Sequence, residues 1–266
     1  GTQSRPQAVQ FASAFNNAML SCSVNGDGAA IIAEGQCIWV RARSEHTDVD
    51  ASSRNPGFAE RMEQISAGVQ LALASNWRTG LSLGYDQTAG SSENTRTSGE
   101  RISTGGVIKY TEGPWLLAAS FSGGWGNYDR VRQISFSGFS ASAMSSSDVD
   151  FIAARLHGAY LVDFGLAYVK PMVDAGVTRV IRSGFTEHGG DGAALSIAGS
   201  TKDVWSVSPA VEVGTQMRHA DYTWRPYVKA GVSFTDPSDV AVTSSFANSP
   251  AATFTTSARY DSVLFD

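Results

Sequence analysis

The chain is 266 residues long, with 17% charged residues and a formal net charge of -5, well under the roughly 25% charge of an ordinary soluble domain. No basic block offers a footprint for nucleic acid, and no apolar run approaches the roughly 18 residues that a membrane-crossing helix requires. Those two classes are set aside, while 27 glycines and 10% aromatics at this length are compatible with one all-β barrel.

In chain order, the first predicted element is a helix. Between Pro6 and Cys22, the residues Ala8, Phe11, Ala12, Phe15, Met19 and Cys22 recur at helical spacing, with Pro6 early enough to serve the first turn. Its apolar stripe needs cover, from the inside of a barrel or from some other surface. Cys22 and Cys37 flank a Gly- and Ala-rich stretch. An even pair without His or further Cys nearby suits a disulfide in an oxidising compartment better than a metal site, two unrelated thiols being the alternative.

From Cys37 onward the pattern is alternation, beginning with a strand over 37–43. In 64–74, Ile65, Val69, Leu71 and Leu73 share one face while Gln64, Ser66, Gly68 and Gln70 share the other, the period-2 mark of a two-faced strand. Comparable runs at 77–86, 101–110, 115–126, 152–160, 165–178, 205–217 and 225–234 give about nine strands, each near the ten residues that cross an outer membrane at a tilt. A tenth is expected to open near Ala258.

Alternation alone fits a soluble sandwich as well as a membrane barrel, so the tie is broken by three other features. Connections alternate in length: tight ones are expected at Ser75–Asn76, Thr111–Pro114, Val162–Asp163 and His219–Asp221, and long loops at 44–60, 87–99, 129–147, 181–202 and 235–257. Aromatics gather by the tight turns, where Trp77, Trp115, Phe164, Tyr222 and Trp224 open strands and Tyr110 and Tyr160 close them. That is where an interfacial girdle belongs. The polar face is mostly small, with mixed charges that strand parity points inward: Arg41, Arg43, Arg78, Lys109, Arg155, Lys170, Asp174, Glu212 and Lys229. Such a lumen holds water and can pair with a threaded segment. The expected fold is therefore all-β, a transmembrane antiparallel up-and-down barrel preceded by an N-terminal helix.

A search for chemistry finds little. His46, His188 and His219 fall in predicted loops or turns and only His157 on a strand, so no nucleophile and base are expected to converge. No metal-ligand spacing and no cofactor motif is present.

The stretches Glu34-Gly-Gln-Cys-Ile-Trp-Val-Arg41, Asn76-Trp-Arg-Thr-Gly-Leu-Ser-Leu-Gly-Tyr85, Gly113-Pro-Trp115, Gly184-Phe-Thr-Glu187 with Gly192-Ala-Ala-Leu-Ser196, and Trp224-Arg-Pro-Tyr-Val228 together resemble the autotransporter β-domain family. The resemblance spans nearly the whole chain from Phe11. It implies a bacterial outer-membrane barrel of twelve strands, with a helix around Phe11 to Leu20 threaded through the pore and joined to an upstream passenger that is exported to the cell surface. It also implies outer-membrane lipid and the outer-membrane assembly machinery as partners. Residues 1–33 are then linker and pore helix and 34–266 the barrel, with nine to ten strands and an ending in Phe265-Asp266 that reads as incomplete at the C-terminus. One branch of the family cuts its linker between adjacent asparagines, which makes Asn16 and Asn17 a candidate self-cleavage pair assisted by inward Asp174 and Glu212, two polar residues in a water-filled pore being the alternative. The competing readings are a barrel enzyme, protease or lipase, and a soluble β-sandwich adhesin.

Overall fold

The computed structural model describes residues 4–20, 22, 34–50, 57–219, 222–236, 240–258 and 263–265. The expected linker at 23–33, parts of the loops expected at 44–60 and 235–257, the start of a strand beyond Ala258 and the terminal Asp266 fall wholly or partly outside them.

One helix, α1 (Ser4–Met19), precedes the strands β1 (Cys37–Val49), β2 (Phe58–Ala72), β3 (Trp77–Ser92), β4 (Thr95–Glu112), β5 (Trp115–Phe136), β6 (Phe139–Tyr160), β7 (Val162–Asp163), β8 (Ala167–Arg182), β9 (Phe185–Thr186), β10 (His188–Gly189), β11 (Leu195–Ile197), β12 (Ser200–Thr215), β13 (Met217–His219), β14 (Tyr222–Trp224), β15 (Tyr227–Thr235), β16 (Val240–Phe246), β17 (Ser249–Ala258) and β18 (Val263–Phe265). The principal sheet runs β1-β2-β3-β4-β5-β6-β8-β12-β15-β18, each strand antiparallel to the next. This up-and-down order is the expected one, curled around α1. Among the described residues β1 and β18 are its edges.

The two faces of the sheet have opposite character. Leu81 and Leu83 are exposed while Ser82 between them is buried, and Phe121 is exposed while Ser120 and Ser122 are buried. Apolar side chains outside and hydroxyls inside invert the arrangement of a water-soluble protein, as a lipid-facing sheet requires.

The long loops expected at 87–99 and 129–147 are not loops. β3 and β4 continue as a regular ladder to the Ser92↔Thr95 pair, and β5 and β6 to Phe136↔Phe139. The β5–β6 hairpin closes on Ser137 and Gly138, with φ of 40° and 84°, the left-handed pair that a two-residue hairpin turn needs. The reason for the difference is physical. The backbone ladder continues past Trp125, but the next outward residues are Asn127 and Asp129, opposed by Asp148 and Ser146, all exposed, so the unbroken run of outward apolar residues ends there. At about 3.3 Å per residue the 22 residues of β5 span about 70 Å, far more than an apolar band of about 25 Å.

The region expected as a loop at 181–202 is folded as well. β9 and β11 join β16 and β17 in a small sheet over Phe185, Ile197 and Val242, and β10 pairs with β6. Glu187 receives Arg132 Nε at 3.0 Å and Nη2 at 2.5 Å, plus the Leu195 amide at 2.9 Å. This bidentate pair pins the Gly184–Glu187 stretch to the β5–β6 ribbon. His46, His188 and His219 consequently lie on strands rather than in loops.

Candidate translocation lumen

The concave face of the sheet is occupied by α1. Phe11, Ala12, Phe15 and Met19 are buried with Met62, Val107, Phe151 and Ala153 of the wall, and Leu20 and Trp39 pack at the margin. These are the stripe residues of the predicted helix, and the surface that covers them is the inside of the sheet. Phe11 lies between Phe15, Phe151 at 5.8 Å edge-on, and the Arg101 guanidinium 4.9 Å from its ring. Arg101, buried to 1% exposure, also donates to the Tyr128 hydroxyl.

The helix has a direction. Val9 packs on Tyr128, Val149 and Val180, of which Tyr128 and Val180 lie toward the long-hairpin end of their strands. At the other end of the helix, Cys22 is bonded to Cys37, which is paired with Gln70 close to the β2–β3 turn. The N-terminus of α1 therefore faces the long-hairpin end and its C-terminus the short-turn end.

The asparagine pair divides its roles. Asn16 is buried, donating to the Ala12 carbonyl at 2.8 Å and to Ser122 Oγ at 3.0 Å while accepting from Ser120 Oγ at 2.9 Å. Its amide nitrogen thus points up the helix, whereas its own carbonyl faces the opposite way to receive the Leu20 amide at 3.2 Å. Asn17 accepts from Arg155 Nη1 at 2.5 Å, beside a cavity of about 330 Å³ lined in part by Asn17, Arg43, Arg155 and Asp174.

The predicted inward charges fall into three groups. Arg155 Nε and His157 Nδ1 each lie 2.9 Å from Asp174 Oδ1, and Lys170 pairs with Glu212 at 2.8 Å. At the short-turn mouth Lys109 pairs with Glu34, which also takes Gln70 Nε2 at 2.9 Å, while Arg78 Nε donates to the Glu34 carbonyl at 3.0 Å. Arg41, Arg43 and Lys229 are exposed on β1 and β15, close to the edges of the sheet, and Arg43 pairs with Glu45 at 2.8 Å. Sequence reasoning missed Arg101 and Glu34. The parity that marks Lys109 also marks Arg101 on the same strand, but nothing local marks Glu34, whose partners come from β2 and β4. It also missed the meeting of His157 with Asp174.

The aromatics expected at the lipid interface lie at the short-turn rim. Trp77 and Tyr110 are cross-strand partners with ring centroids 4.9 Å apart, and Trp115 and Tyr160 are partners at 4.7 Å. Phe164 and Trp224 are exposed at 68% and 67%. The backbone of Tyr222 pairs with His219 in the β13–β14 hairpin.

Among the described residues no group of three or more His, Cys, Asp or Glu is placed to hold a metal ion. What the arrangement offers is a concave face carrying charges of both signs and filled by a helix from its own chain.

Solved structures share this architecture. The translocator domain of the autotransporter NalP from Neisseria meningitidis superposes with a TM-score of 0.68 at 14% identity, covering 90% of this chain and 84% of that one. The β-domain of the Bordetella autotransporter BrkA gives a TM-score of 0.57 at 14% identity, covering 87% and 95%. No curated protein sequence matches the chain. Residues 38–264 match the family described as the autotransporter β-domain, and the chain belongs to that family.

Proposed function

We propose that this chain is an outer-membrane translocator that anchors and exports a passenger joined upstream of α1, with outer-membrane lipid around its apolar face. The carrying observation is the polarity of α1: its N-terminus leads to the long-hairpin end while the disulfide holds its C-terminal side at the short-turn end. In outer-membrane barrels short turns face the periplasm and long connections the outside, so the chain preceding α1 emerges at the cell surface. NalP and BrkA are autotransporters by name, and the same use is proposed here. Insertion would engage the outer-membrane assembly machinery, because a sheet with exposed apolar flanks does not stay soluble.

The test is an epitope fused ahead of Gly1 in a Gram-negative host. Antibody binding to intact cells is expected, together with heat-modifiable migration of the outer-membrane fraction. An epitope reached only after the outer membrane is opened would overturn the orientation. A chain that stays monomeric and folded without detergent would favour a soluble adhesin instead.

A further inference from the structure

We infer that the lumen wall sets the resting register of the linker helix, and so the point at which the moving chain stops, through glycine sockets and a serine pair that together accept one helical alignment. The inference rests on α1 being the pore-threading segment.

The sockets are Gly84 on β3 and Gly105 on β4. A Cβ at Gly84 would stand 2.9 Å from Phe15 Cε2, the next nearest residue being the Ile65 carbonyl oxygen at 3.7 Å. The space a side chain would need there is taken by the helix. A Cβ at Gly105 would stand 2.9 Å from Met19 Cε and 3.0 Å from the Phe121 carbonyl oxygen. Gly84 opposes Ser103 and Gly105 opposes Ser82, so the sockets are offset by two residues, a diagonal of about 7–8 Å on an antiparallel pair. Phe15 and Met19 are four residues apart, about 6 Å along a helix. The wall spacing and the helical turn therefore match. One turn earlier, Phe11 enters the cage of Arg101 and Phe151.

Three apolar stations one turn apart do not by themselves exclude slippage, because a shift by a turn would bring Phe15 to the Arg101 cage and Met19 to Gly84. Asn16 removes that freedom. It is held between Ser120 and Ser122, and a slip by one turn in either direction would put Leu20 or Ala12 there, leaving both hydroxyls buried without a partner. Apolar knobs thus supply the grip and one amide supplies the register.

The experiment uses the full chain in outer membranes, with Asn17→Cys and Arg155→Cys, a helix–wall pair in contact that leaves Asn16, Ser120 and Ser122 in place, joined by a short thiol-reactive bis-maleimide. Product at 17/155 is expected to exceed that from Ser13→Cys/Arg155→Cys several-fold, and Asn16→Ala should erase that excess. Gly84→Ala should lower the 17/155 yield several-fold, and adding Phe15→Leu should restore it. Gly106→Ala, where a Cβ meets nothing nearer than 3.6 Å, should leave it unchanged. No product from either pair in a heat-modifiable barrel overturns the pore-helix reading itself. Product that is strong at 17/155 yet indifferent to Asn16→Ala or Gly84→Ala, or not restored by Phe15→Leu, overturns the register inference alone. Should Gly84→Ala fail to give a heat-modifiable barrel, Phe15→Ala with Gly84 intact decides, and an undiminished 17/155 yield there overturns it.

Discussion

Lys109 Nζ stands 2.8 Å from Glu34 Oε2 with the two side chains only 1% and 3% exposed, joining the middle of the sheet to the segment that leads into β1. Because Gln70 and Arg78 bind the same residue, the connector is held across the short-turn mouth by β2, β3 and β4. Removing one partner strands a buried charge. Lys109→Met is expected to cost about 3–5 kcal/mol, while Lys109→Met with Glu34→Leu should recover most of it. Urea unfolding of the barrel in detergent, followed by its gel mobility, measures both, and a single variant as stable as the parent would remove the latch.

The inverted faces predict an asymmetry between neighbouring residues. Leu81 is 71% exposed and Ser82 4%. Leu81→Arg should destabilise the barrel by about 2–4 kcal/mol near the bilayer midplane. Nitroxides at the two positions in reconstituted vesicles should show oxygen reaching 81 and not 82. A label at 81 shielded inside protein, with 82 in bulk solvent, would turn the molecule inside out.

Asn16 is read as an anchor rather than a cleavage site. Both hydrogens of its amide are committed to Ala12 and Ser122, away from its own carbonyl, so ring closure onto that carbonyl is disfavoured. Prolonged incubation of the folded barrel should leave the chain mass unchanged. Asn16→Ala should cost about 1–3 kcal/mol for the hydroxyls it strands. Appearance of a fragment ending at Asn16 or Asn17 would restore self-cleavage.

Cys22 and Cys37 are separated by 15 positions. A bond closing a loop of that size stabilises by about 3 kcal/mol through the unfolded chain. Cys22→Ser with Cys37→Ser should therefore lower the unfolding midpoint without dislodging α1, whose grip lies at Phe11, Phe15 and Met19. Amide exchange of residues 11–19 tests the second half: protection lost in the variant would show that the disulfide, not the wall, holds the helix.

Much of this protein was legible before folding. Alternation identified the strands because lipid outside and a wet lumen inside impose opposite demands on successive residues, as at Leu81 and Ser82. The apolar stripe of α1 and the aromatics at the tight turns were visible for the same reason: each answers to a uniform medium that acts on residue type. Tertiary structure alone decided what depended on distant partners. It extended β3 to β6 beyond the lipid, where ladder hydrogen bonds persist after the apolar signal ends. It folded 183–199 against Arg132, joined Glu34 to Lys109 across 75 positions, and seated Phe15 over Gly84. No local pattern encodes such contacts, because their energy belongs to pairs that meet only once the sheet has curled.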